Sequence, residues 1–172
     1  MEPFASLIRE IPDFPEPGVV FKDIAPILSH PGAFAELVKT MAEPFRDAGI
    51  TQVAGIEARG FTLAAPIALA LGAGFIPIRK PGKLPFETLS EDYTLEYGSD
   101  RLEIHTDAAD GGDRVLLVDD VIATGGTAAA ALRLISRVGA EPAGFSVFIE
   151  LAFLNGKAAL PDLPYHALLV YD

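Results

Sequence analysis

The chain has 172 residues, of which 50% are hydrophobic and 22% charged, a length and composition that suit one folded domain and exclude a disordered polypeptide. Its formal net charge of −11 excludes a general binder of nucleic acid or of anionic membranes, because phosphate-rich surfaces recruit Lys and Arg. There is no cysteine, which excludes disulfides and thiolate metal sites.

Met1 to Glu10 carries acids early and has no long apolar stretch, which predicts no signal peptide. Phe4 to Ile11 is expected to form a short helix, closed by Pro12, Pro15, Pro17 and Gly18. Val19 to Phe21 reads as a short extended piece. Pro31 suits the first turn of a helix that carries Phe34, Leu37, Val38, Met41 and Phe45 at helical spacing and ends near Gly49. Gln52 to Ile56 reads as a buried strand, followed by a helix from about Thr62 to Leu71. The apolar run Leu63 to Leu71, interrupted by Pro66, is shorter than the roughly 20 residues that span a bilayer, so a cytoplasmic protein is expected. Phe75 to Ile78 is another strand, and Lys80 to Ser90, rich in Pro and Gly, reads as a loop. Tyr93 to Tyr97 and Arg101 to His105 are expected to form a hairpin around Gly98, Ser99 and Asp100.

The C-terminal half repeats the strand-then-helix theme. Val115 to Val118 is an apolar β-rich run, Ala128 to Val138 a helix stopped by Gly139, and Phe145 to Leu151 and His166 to Val170 are further strands. Strands alternating with helices predict an α/β fold, a parallel twisted sheet flanked by helices. No repeat or low-complexity linker divides the sequence, so residues 1–172 read as one domain. Ligands of such sheets bind where the strands' carboxyl ends meet the loops, which directs attention to the segments after Ile56, Ile78 and Val118.

After Val118 the sequence runs Asp119-Asp120-Val121-Ile122-Ala123-Thr124-Gly125-Gly126-Thr127. The two glycines allow close approach of backbone to a ligand. Backbone amides, two threonine hydroxyls and the following helix N-terminus converge as donors on one spot, an anion site. The neighbouring carboxylates suit hydroxyl groups or a metal ion, and the combination describes a ribose phosphate. A P-loop would need a lysine that this loop lacks, and the Gly-x-Gly-x-x-Gly dinucleotide pattern is absent. Taken structurally, the same string is a tight strand-to-helix turn capped by Asp119.

The string Val115 to Thr127 resembles the phosphoribosyl pyrophosphate (PRPP) motif of the type I phosphoribosyltransferases. The resemblance implies that fold, with the loop of Ala123, Thr124, Gly125, Gly126 and Thr127 holding the sugar's phosphate and Asp119 and Asp120 holding the ribose hydroxyls. Glu57-Ala58-Arg59-Gly60, by itself a solvated turn, looks like the family's pyrophosphate loop, with Arg59 facing the leaving group. Arg79-Lys80-Pro81-Gly82-Lys83-Leu84-Pro85, by itself a basic turn, is similar to the segment in which adenine phosphoribosyltransferases bring lysines, here Lys80 and Lys83, to pyrophosphate. Glu96-Tyr97-Gly98 also matches that family, which makes Glu96 the candidate proton carrier and places Tyr97 at the PRPP site.

The stretch Pro12 to Ile24 resembles the adenine enzymes' N-terminal hood, taken as residues 1–28, and the mobile loop is taken as residues 80–105. Backbone groups near Val20 and Lys22 would read the base edge, Phe21 would stack on it, and Leu151 would pack the opposite face. The family more often has arginine where Lys22 stands. Enzymes for 6-oxopurines usually have an aspartate where Ala123 stands here and a lysine near the position of Ile149-Glu150-Leu151, a stretch that here has none. The implied reaction is purine salvage, adenine and PRPP giving AMP and pyrophosphate, with Mg²⁺ bound mainly through substrate and a homodimer as the assembly. The alternatives are a transferase for another base, orotate or xanthine, and a non-catalytic PRPP-sensing regulator. His30, His105 and His166 are isolated and receive no chemical role.

Overall fold

The computed structural model describes residues 2–94 and 99–172. A short helix α1 (Glu2–Ala5) leads into strand β1 (Arg9–Pro12), which pairs antiparallel with β2 (Val20–Asp23) from Arg9↔Asp23 to Pro12↔Val20. The helix expected over Phe4 to Ile11 is therefore a helix of one turn and a strand. Partners from beyond the proline cluster recruit Arg9 to Pro12 into a hairpin, and a non-local pairing of this kind overrides local propensity. Helices α2 (Ala25–Leu28) and α3 (Pro31–Ala42) follow, the latter opened by Pro31 with His30 Nδ1 accepting from the Ala33 amide at 3.2 Å. A 3₁₀ turn over Glu43–Phe45 takes the place of the last expected turn of α3.

The main sheet is built from β3 (Gln52–Ile56), β4 (Gly74–Ile78), β7 (Arg114–Ile122), β8 (Glu141–Leu151) and β9 (Tyr165–Tyr171), all parallel, in the order β4-β3-β7-β8-β9. Between them lie α4 (Arg59–Leu71), a hairpin of β5 (Thr88–Thr94) and β6 (Ser99–His105), and α5 (Gly126–Arg137). Successive residues of a strand point to opposite faces, and the core divides accordingly. Val53, Leu116, Val118 and Phe148 pack with Leu37 and Met41 of α3 and Leu63 and Ile67 of α4. Ala54, Val115, Leu117, Phe145 and Val147 pack with Leu134 and Ile135 of α5 and with Leu102 and Ile104 of the hairpin. Burial of both faces explains why these strands are apolar throughout rather than alternating.

Further boundaries differ from expectation, the first two of those that follow because a neighbouring strand extends the pairing. The hairpin begins at Thr88 and pairs Thr88↔His105 through Thr94↔Ser99, so Ser99 and Asp100 lie in a strand rather than in the turn. Strand β7 continues past Val118 to Ile122 because β8 still pairs with it there, at Asp119↔Val147 and Ile122↔Glu150. Helix α4 starts at Arg59 rather than Thr62.

Taken in sequence order, the main sheet's strands are arranged second, first, third, fourth, fifth. The order reverses between β3 and β7, and such a reversal opens a crevice beyond the strands' carboxyl ends. Strand β3 ends at Ile56, whereas its neighbour β7 runs beyond the last shared pair, Gly55↔Val118. The crevice opens over that unpaired edge.

Candidate active site

A cavity of about 520 Å³ occupies the crevice. Its walls come from Ile56 to Arg59 after β3, from Lys80 after β4, from Tyr93 and Asp100 of the hairpin, and from Asp119 to Gly125 with Thr127 and Ala128. All three segments singled out from the sequence thus meet at one place. Among the expected site residues, Arg59, Lys80, Asp119, Asp120, Ala123, Thr124, Gly125 and Thr127 line it. Lys83, Gly126, Val20, Phe21, Lys22 and Leu151 are not in its wall. Glu96 and Tyr97 lie outside the described residues.

The loop after β7 turns into the next helix at a glycine. Gly125 is the N-cap of α5 with φ +81°, a left-handed conformation, and it supplies no side-chain cap to the helix. The Ala129 amide donates to Gly125 O at 2.9 Å, which starts the helix at Gly126, two residues before the expected Ala128. The amides of the first turn have no partner within the helix and carry its positive pole, so they remain available to an anion. The loop is also buttressed from behind. A Cβ at Gly125 would stand 2.1 Å from Gly156 O, and a Cβ at Gly156 would stand 2.2 Å from Ala123 O. The loop backbone thus rests directly on the backbone of Gly156, a residue that the sequence reading did not single out and for which no local motif exists.

The acids are placed differently from one another. Asp120, expected to face ligand and solvent, is only 5% exposed. It sits within a strand rather than at its end, and Arg59 Nε donates to Oδ2 of its carboxylate. Asp119 keeps a partly accessible surface, and its Oδ1 accepts from the Asp120 amide at 3.0 Å. Burial by surrounding atoms and then the adjacent Asp120 carboxylate push the Asp119 pKa well above the usual carboxylate range. Gly60 is required beside it, since a Cβ there would lie 2.7 Å from Asp119 Oδ1.

The basic residues form two networks. Glu57, after β3, accepts from Arg79 Nε and the Lys80 amide, both at 3.1 Å, and from Lys83 Nζ. Burial alone would raise its carboxyl, but the hydrogen bonds from Lys83, the Lys80 amide and Arg79 outweigh it and hold the pKa at about 2. Lys80 Nζ turns the other way, donating to Tyr93 Oη at 2.6 Å and to Asp100 Oδ2. Glu57, Tyr93 and Asp100 had no assigned role in the sequence, because these pairings link a loop to strands that are distant from it in sequence.

At the hood, the Arg59 guanidinium carbon lies 4.8 Å from the centroid of the Phe21 ring, and Phe14 meets that ring edge-on at 5.1 Å. Arg59 thereby joins the hood to Asp120. Lys22 Nζ is held by Glu10 and stands 4.2 Å over the Tyr171 ring, with 12% of the lysine side group exposed. Its ammonium is engaged in fixing the hood to the end of β9. Leu151 ends β8, half-buried against the core.

Comparison with known proteins agrees with this geometry. The family model of the phosphoribosyl transferase domain matches residues 24–165. The adenine phosphoribosyltransferase of Streptomyces coelicolor is 58% identical over 168 residues, covering 95% of this chain and 92% of its own. That of Anaeromyxobacter dehalogenans is 54% identical over 171 residues, covering 99% of each. The solved adenine phosphoribosyltransferase of Rhodothermus marinus superimposes with a TM-score of 0.95 at 51% identity, covering 99% of this chain and 97% of its own. The Saccharomyces cerevisiae enzyme, solved with an imino-altritol bisphosphate and adenine, does so with a TM-score of 0.91 at 40% identity over 97% of each. With the crevice, the loop and the near full-length identity in agreement, the chain belongs to the adenine phosphoribosyltransferases of the phosphoribosyl transferase family.

Proposed function

We propose that the cavity binds PRPP and adenine and makes AMP and pyrophosphate from them. One observation carries the reading: a helix N-terminus without a side-chain cap, on a glycine loop, shares a single crevice with Asp119, Asp120, Arg59 and Lys80. In this reading the amides and hydroxyls of Ala123 to Thr127 hold the 5′-phosphate, and Asp119 and Asp120 hold the ribose hydroxyls. Arg59 and Lys80, in the cavity wall, face the pyrophosphate, and Lys83 would approach it from the adjoining loop. The C1′–O bond to pyrophosphate breaks with oxocarbenium character, N9 of adenine bonds to C1′, and the N9 proton leaves, with Glu96 as its carrier on the strength of the family match. Fixed cations beside the departing pyrophosphate stabilise charge as it develops, the kind of preorganised term that dominates such catalysis.

Among the described residues no group of three or more His, Cys, Asp or Glu is placed to hold a metal. The donors at the cavity fit Mg²⁺ carried in on substrate oxygens, and Asp119 and Asp120 are the residues that would help to hold it. Bound there, it would act as a Lewis acid on the pyrophosphate oxygens. The hood of residues 1–28, with Val20, Phe21, Lys22 and Leu151, would receive the base, and the segment taken as residues 80–105, with Tyr97, would close over it by its exposed part, since Leu102 and Ile104 are packed in the core. The same reading makes the protein a cytoplasmic homodimer with no nucleic-acid or membrane partner. Among the described residues, no helix is long and apolar enough to cross a membrane.

Adenine offers an amine donor beside a ring acceptor, a pattern that backbone carbonyl and amide groups can match and that hypoxanthine reverses. Sites built to hydrogen-bond a group reject the analogue lacking it by about 10⁴ or more. PRPP-dependent pyrophosphate release with a panel of bases is the test. Adenine should exceed hypoxanthine and guanine by that order in kcat/KM, with Lys22→Ala keeping the preference. Comparable rates with hypoxanthine, orotate or xanthine would overturn the base assignment, and no release with any base would favour the regulator.

A further inference from the structure

Two cations line the cavity, Arg59 and Lys80, and each is held by a carboxylate that lines it too. The partner of Arg59 is Asp120, which already has a role in the PRPP motif. The partner of Lys80 is Asp100, which has none. Lys80 Nζ, Tyr93 Oη and Asp100 Oδ2 close a triangle, for the Tyr93 hydroxyl also donates to Asp100 at 3.1 Å. Tyr93 and Asp100 are directly opposed across the β5–β6 hairpin. Tyr93 is 6% exposed and packs in the core beside Leu102 and Ile104. The triangle is thus anchored in the core on one side and open to the cavity on the other.

An ammonium matched by a carboxylate in contact presents almost no net charge to an arriving polyanion. The same pairing keeps the ammonium charged and in place: burial would depress the Lys80 pKa, but the hydrogen bonds that it donates to Asp100 and Tyr93 raise it, and Lys80 in turn lowers that of Asp100. We propose that Asp100, set by Tyr93, is a positioning residue, the counter-ion that holds Lys80 at the cavity wall and yields it to pyrophosphate. Asp100 thereby sets the enzyme's affinity for pyrophosphate through Lys80 rather than by binding pyrophosphate itself. This rests on the reading of Lys80 as a pyrophosphate cation.

Asp100→Asn keeps the shape of the residue and removes its charge, and with it the competition for Lys80. Calorimetric titration of magnesium pyrophosphate into wild type, Asp100→Asn, Lys80→Met and the double variant tests the proposal, with thermal melting as the check on folding. Asp100→Asn should bind pyrophosphate about tenfold more tightly, equivalent to about 1.4 kcal/mol, and lower the KM for PRPP in proportion. Lys80→Met should bind it more weakly, and in that background Asp100→Asn should change nothing further. Tyr93→Phe, which leaves the charge, should shift affinity less than Asp100→Asn. If Asp100→Asn melts early, Asp100→Ser carries the same expected sign. Unchanged or weakened binding on loss of the Asp100 charge overturns the proposal, as does an equal effect with and without Lys80. A Lys80→Met protein that binds pyrophosphate like wild type overturns the underlying role of Lys80 instead.

Discussion

Gly156→Ala places one methyl group behind the loop of Ala123 to Thr127 and nothing in front of it. The new Cβ would lie 2.2 Å from Ala123 O, 2.9 Å from Gly125 N and 3.0 Å from Ala123 C. Ordinary contact begins near 3.4 Å, so the backbone of the loop or of residues 155–156 must retreat by roughly 1 Å, and neither is the free end of a flexible residue. Overpacking of this kind costs about 1–3 kcal/mol, which for a protein of this size lowers Tm by about 2–4 °C per kcal/mol. The larger effect should be on turnover, because a misplacement of about 1 Å in a positioned group can cost on the order of 10²-fold. Steady-state kinetics with varied PRPP and saturating adenine should show kcat/KM reduced by one to two orders of magnitude, about 10–100-fold. Gly111→Ala, whose Cβ would meet nothing closer than 3.8 Å, serves as the control and should behave as wild type. A Gly156→Ala enzyme with wild-type kcat/KM and Tm would show that the loop is not buttressed there and refute the reasoning.

Asp120→Asn should fold, at a cost of about 1 kcal/mol for the part-buried bond to Arg59 that it weakens. It should lose about 10–100-fold in kcat/KM for PRPP, since hydrogen bonds to a charged group contribute about 1.5–3 kcal/mol; a folded variant with wild-type kinetics would remove Asp120 from the ribose site. Glu57 titrates at about 2 instead of its ordinary 4.5, so its contribution to stability is complete above about pH 4.5 and is lost as pH falls towards 2. The gap corresponds to about 3 kcal/mol at about 1.36 kcal/mol per pH unit, reduced to about 1–2 by the solvent around its half-exposed partner Lys83. Urea midpoints measured across that acid range should therefore fall less steeply for Glu57→Gln than for wild type, and parallel curves would contradict the Glu57 network.

The segment from Val115 to Thr127 was legible in the sequence because its parts are contiguous. A buried strand, two acids, a glycine turn and a helix start follow one another, and local stereochemistry alone predicts an anion site from them. The strand and helix alternation was legible for the same reason, since it rests on periodicity within each element. What sequence could not decide was every contact that closes over a long separation. Arg59 meets Asp120 across 61 residues and Lys80 meets Asp100 across 20, while Gly125 rests on Gly156, and no local pattern encodes such pairs. Arg9 to Pro12 became a strand only because Val20–Asp23 came to pair with it, and Asp120 became buried only because β8 drew β7 past Val118. The sequence determined which groups follow one another after the central strand: two acids, a glycine turn and a helix start. The tertiary structure decided which carboxylate each cation is held by, because sheet order and hairpin register, set by burial over the whole domain, bring those charges together.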